Sequence, residues 1–162
     1  ANFGRLPRAT VRAAEAFHAR AQGFALEMGG TVRALVPFAP DSNLVCLALN
    51  PHGNTSPAAA NAFVHALHDE LRSDPQQPLQ LKEFFGSVTS LRPELLGATQ
   101  TARIFGALGL DPADAGDDHL LILRHTLMNP YLIDRENGIS YIDRYFDFLA
   151  RRVRALAAAR PT

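Results

Sequence analysis

The chain contains one cysteine, Cys46, and one lysine, Lys82. A single cysteine excludes an internal disulfide and any cysteine-cluster metal site. Cys46 falls inside the apolar run 44–49, where a small buried hydrophobe is expected. Fifteen of the 16 basic residues are arginine, so any chemistry that needs a lysine has Lys82 alone to draw on. Net charge is also lacking: 16 basic residues balance 16 acidic ones, leaving no global field to steer nucleic acid or an anionic membrane. No apolar stretch approaches the roughly 20 residues of a membrane span, and the N-terminus carries no signal-peptide pattern. The expected location is the cytoplasm, with neither nucleic acid nor membrane as a partner. An initiating methionine is missing too, which fits either processing before Ala1 or a chain cut from something longer.

What is present is the composition of an ordinary globular protein, 47% hydrophobic and 20% charged over 162 residues. That length suffices for one compact domain spanning residues 1–162. Residues 7–28 carry an apolar helical stripe closed by Gly29-Gly30. Residues 31–38 and 43–50 read as two strands joined by Pro-Asp-Ser turn chemistry, hence an antiparallel hairpin. Thr55 or Ser56 caps a helix that runs from Pro57 to about Arg72. Residues 79–91 read as a third strand, in which Gly86 marks a bulge or a close backbone approach. Residues 92–98 read as a loop or single turn, 99–108 as a short helix, and 111–118 as an acidic loop. Residues 120–127 form an apolar strand stopped by Asn129-Pro130. A closing helix extends from about Gly138 to Ala159, with Ile139, Ile142, Phe146, Leu149, Val153 and Leu156 recurring every three or four residues. The order α-β-β-α-β-α-β-α predicts an α+β fold: a mostly antiparallel four-stranded sheet with helices packed on one face.

Chemistry concentrates at the fourth strand. Arg124 interrupts its apolar run, and an unpaired buried charge is costly. Arg124 must therefore meet a carboxylate or point out of the sheet toward a ligand. An internal salt bridge with Asp118 or Asp143 is the structural alternative. His125 points to the opposite face by strand alternation, either as a sheet-surface residue or as a support for the site. His52, in Pro-His-Gly-Asn, sits at a strand-to-helix junction, where functional residues often lie. His65 and His68 have metal-chelating spacing on one helix but no evident third ligand, so no metal site is expected. Asn54-Thr55-Ser56 and Ser87 offer hydroxyls without a recognisable base. The residues alone show no self-sufficient catalytic set.

The stretch Ile122-Leu123-Arg124-His125-Thr126-Leu127-Met128-Asn129-Pro130, followed by an amphipathic closing helix, resembles the end of the pyridoxal-phosphate-dependent amino acid decarboxylases. This is the group II, fold-type-I set that includes the glutamate, tyrosine and aromatic amino acid enzymes. The hairpin from Arg33 to Asn50, with its Leu-Asn-Pro ending, and the opening Arg12-Ala-Ala-Glu-Ala-Phe-His18 helix are similar to that family's small domain as well. The resemblance implies a C-terminal small domain packed on a larger pyridoxal-phosphate-binding domain of the same polypeptide, in a homodimer. It implies that Arg124 grips the α-carboxylate of an amino acid substrate through the paired hydrogen bonds a guanidinium makes. Holding that bond perpendicular to the cofactor ring lets the ring accept electrons as carbon dioxide leaves. His125, Asn129 and His52 are weaker candidates for lining or supporting the cleft.

The family also needs a Schiff-base lysine, usually beside a histidine, and an aspartate for the ring nitrogen. Lys82 has neither the neighbours nor the place, so no catalytic or cofactor-binding residue is assigned within this chain. Alone, it is expected to bind no pyridoxal phosphate and to be inactive. The rival readings are a free-standing regulatory module that binds an amino acid through Arg124, and the small domain of a related aminotransferase or carbon–carbon lyase.

Overall fold

The computed structural model describes residues 4–72, 76, 78, 82–115 and 119–159. Residues 79–81 of the expected third strand, Asp118 and the C-terminal Arg160 lie outside this set.

Helix α1 (Arg5–Glu27) turns Ala13, Ala14, Phe17, Ala21 and Phe24 inward at helical spacing. A tight turn leads to β1 (Val32–Leu35), which pairs antiparallel with β2 (Leu44–Pro51). Helix α2 (Pro57–Leu71) starts where the Ser56 hydroxyl accepts the Ala59 N–H at 3.4 Å and Pro57 needs no hydrogen-bond partner for its nitrogen. Next come β3 (Ser87–Leu91), the single turn α3 (Pro93–Leu96), α4 (Ala98–Leu108) and a 3-10 turn (Pro112–Ala115). Strand β4 (Leu120–Thr126) inserts between β2 and β3, giving an all-antiparallel sheet of order β1-β2-β4-β3. A small hairpin of β5 (Ile133–Asp134) and β6 (Ile139–Ser140) precedes α5 (Tyr141–Ala158). The Ser140 hydroxyl caps α5 by accepting the Asp143 N–H at 3.1 Å.

The four-stranded antiparallel sheet flanked by helices is as expected, with one correction: the helices cover both faces. Val45, Leu47, Leu49, Leu121 and Leu123 face the larger core, with Phe17 and Phe24 of α1, Val64 and Leu67 of α2, and Phe146 and Leu149 of α5. The alternate residues Ala48, Leu120 and Ile122 face a second core made by Ile104, Phe105 and Leu108 of α4. Strand β4 is buried on both sides from Leu120 to Leu123 because each face has its own helical cover, which accounts for its unbroken apolar run.

The third strand is shorter than its sequence pattern. Phe84 turns inward to stack against Tyr145 and Phe148, each at 5.4 Å between ring centres, and the Gly86 N–H bonds to the Leu71 carbonyl at 3.1 Å. Those commitments hold residues 84–86 off the ladder, so pairing starts at Ser87. Likewise, the closing helix starts at Tyr141 rather than Gly138 because Ile139 and Ser140 pair as β6.

Candidate functional site

The β3–β4 ladder ends at the pair Ser87↔Arg124, while β4 stays paired with β2 as far as Thr126. Beyond that last pair, among the described residues, β4 has no strand partner on the β3 side, and residues 84–86 lie off the ladder. The gap is a cavity of about 350 Å³, within the range of small-molecule sites. Its walls come from the β3 lead-in (Phe84, Phe85, Gly86), the end of β4 and its exit (Arg124 to Asn129), Phe17 of α1 and the first turns of α5 (Tyr141, Ile142, Tyr145). Phe85, Met128 and Tyr141 are exposed at this site. The positive end of the α5 dipole is on the same wall.

Arg124 follows Leu120 and Ile122 on the α4 face of the sheet, two residues past the cover α4 provides, and so emerges into solvent. Its Nε–H donates to the Ser87 hydroxyl at 3.2 Å. Among the described residues Arg124 makes no ion pair and its terminal nitrogens have no hydrogen-bond partner. The alternative of an internal bridge to Asp143 is overturned: that carboxylate lies 3.4 Å from Nε of Arg20, an α1–α5 contact. Asp118, the other alternative, lies outside the described residues. Cys46, opposite Arg124 in the register, is half-buried. Burial raises its thiol pKa, and the Arg124 charge partly offsets that rise.

His125 points the other way, into the larger core, and its ring completes the inner wall of the cavity. Nδ1 lies 3.1 Å from the Val45 carbonyl and Nε2 lies 2.6 Å from the Tyr145 hydroxyl. A carbonyl can only accept, so Nδ1 carries the proton and Nε2 accepts from the tyrosine. Burial lowers the His125 pKa to about 4, and it raises that of Tyr145. The pair is neutral and braces β4 against α5. Phe17 stacks on the imidazole at 4.6 Å between ring centres.

Asn129 lies at the cavity rim, where its side-chain oxygen accepts the Tyr131 N–H at 2.9 Å and turns the chain out of the strand. The structure thus brings Arg124, His125 and Asn129 together. It leaves His52 apart: antiparallel pairing sets the end of β2 beside the beginning of β4, so His52 is at the far end of the sheet, exposed. Of the other residues on this wall, Ser87 is legible in the sequence only as a hydroxyl without a base, and Phe84, Phe85 and Tyr145 carry no signal for the site. Contacts between β3, β4 and α5 leave no local pattern in the sequence.

Among the described residues the ionisable groups on the cavity wall are Arg124, His125, Tyr141 and Tyr145, with no lysine or carboxylate. The Lys82 ammonium instead donates to the Asp69 and Glu70 carbonyls at the end of α2, at 3.4 and 3.1 Å. These residues do not fit a Schiff-base lysine with an acidic partner for a pyridine nitrogen. What the cavity can do is hold a small anion on a guanidinium beside an aromatic wall.

A family model described as the C-terminal region of tyrosine decarboxylase matches residues 13–153. No curated protein matches the chain.

Proposed function

Since the chain belongs to the tyrosine decarboxylase C-terminal family, we propose that it is the small domain of a longer amino acid decarboxylase, to which it contributes Arg124 as the anchor for the substrate carboxylate. The observation that carries this reading is the state of Arg124: exposed at a 350 Å³ cavity, held at Nε, and with both terminal nitrogens free among the described residues. A guanidinium with that edge open can take a carboxylate through two parallel hydrogen bonds. The rings of Phe17, Phe84, Phe85 and Tyr141 suit an aromatic substrate side chain and keep water from the bound group. Pyridoxal phosphate, its lysine and the bond-breaking chemistry belong in this reading to a large domain of the same polypeptide, in a cytoplasmic homodimer. This chain alone is inactive.

The test is Arg124→Ala in the full-length enzyme. We expect kcat/KM to fall about a hundredfold, the scale of removing one partner of a hydrogen-bonded charge pair. Cofactor absorbance should not change. Unchanged turnover would overturn the assignment.

A further inference from the structure

We propose that Ser87 is the positioning residue that sets the direction of the Arg124 guanidinium; this rests on the anchor reading of Arg124. Ser87 contacts Arg124 twice. Its hydroxyl accepts the Arg124 Nε–H at 3.2 Å and lies 3.1 Å from the Arg124 carbonyl, to which it donates. The second bond uses the only proton the hydroxyl has, so its lone pairs are left for Nε–H. The two bonds close a ring through Arg124, tying the end of the side chain to its own backbone. A long, exposed arginine otherwise samples many rotamers, and a ligand would have to select one of them. With Nε–H engaged, the free edge of the guanidinium is the pair of terminal nitrogens, the edge that grips a carboxylate end-on.

The placement of Ser87 supports this role. It is the first residue of β3 and the last to pair with β4, opposite Arg124. The preceding residues are fixed on two sides, by the Gly86 N–H to the Leu71 carbonyl at 3.1 Å and by Phe84 between Tyr145 and Phe148. The serine hydroxyl is therefore presented from a rigid lip, a supporting contact of the kind that holds a binding group to its working geometry.

The experiment compares two ligands of the full-length protein: 3-phenylpropionate, which carries a carboxylate, and 3-phenylpropanol, which has the same ring and chain length without one. In Ser87→Ala the acid should bind about tenfold more weakly and the alcohol unchanged, while Ser87→Thr, which keeps the hydroxyl, should bind the acid within about twofold of the original. Equal weakening of both ligands would reduce Ser87 to a structural residue and overturn the proposal. Acid binding unchanged in Ser87→Ala but lost in Arg124→Ala would also overturn it, while leaving the anchor reading intact. Acid binding unchanged in Arg124→Ala would remove the anchor reading and the role of Ser87 with it.

Discussion

Tyr145 on α5 donates a 2.6 Å hydrogen bond to Nε2 of His125 on β4, and both side chains line the cavity that Arg124 shares. Both residues are buried, and each supplies the other's hydrogen-bond partner. The contact ties the closing helix to the strand that carries the candidate anchor, so the shape of the cavity depends on it.

The first prediction concerns acid. In the unfolded chain His125 titrates near its ordinary value of 6.5, whereas burial holds it at about 4 in the fold. Above pH 6.5 both states are neutral and His125 imposes no penalty. As pH falls from 6.5 to 4 the unfolded chain takes up a proton that the native state refuses, and stability drops. Below about 4 the native imidazole is protonated too, and this group causes no further loss. The total is up to about 3 kcal/mol. Denaturant unfolding at a series of pH values would show it, with the His125 ring titrating near pH 4 by NMR.

Tyr145→Phe removes the donor and leaves Nε2 of His125 buried without a partner. The ring contacts with Phe17, Phe84 and Phe146 are kept. We expect a loss of about 1–3 kcal/mol, the cost of an unsatisfied buried acceptor. Urea unfolding of the variant would measure it.

Arg124→Ala should leave folding stability within about 0.5 kcal/mol, as for surface positions without special contacts. Among the described residues the Arg124 side chain has no ion pair to lose, and its one hydrogen bond is to the Ser87 hydroxyl. A loss of several kcal/mol in thermal unfolding would instead mark Arg124 as a structural residue.

At Gly86, an added Cβ would lie 3.0 Å from Cδ1 and 3.3 Å from Cβ of Leu71, a fully buried side chain. Gly86→Ala should cost about 1–3 kcal/mol through overpacking. If that clash is the cause, the cost should shrink in a Leu71→Ala background, which removes the 3.0 Å contact with Cδ1 and leaves only the one with Cβ. A double-mutant cycle would report the coupling.

Much of this architecture is legible in local pattern. The period of α5 follows from Ile142, Phe146, Leu149 and Val153, all buried. The apolar run of β4 announces a well-buried strand, and alternation alone puts Arg124 and His125 on opposite sides. The Asn-Pro pair marks the end of that strand. The hairpin of β5 and β6 escaped reading because strands of two residues have no periodicity to detect. The helical cover of the second face escaped because a short helix with Ile104, Phe105 and Leu108 inward does not declare which side of a sheet it will meet.

The sequence by itself determined that Arg124 is a cation on a rigid strand near its end, with no lysine chemistry beside it. Only the tertiary structure decided what surrounds it. The cavity exists because the β3–β4 ladder stops at Ser87↔Arg124, a pairing of residues 37 apart in the chain. That stopping point is set by where Phe84 and Gly86 pack on α5 and α2. The same antiparallel geometry carried His52 to the other end of the sheet and brought Tyr145 to His125. Periodicity assigns a residue to a face, because the backbone repeat is local. Its position along that face depends on strand register, which is a balance of packing among segments far apart in sequence.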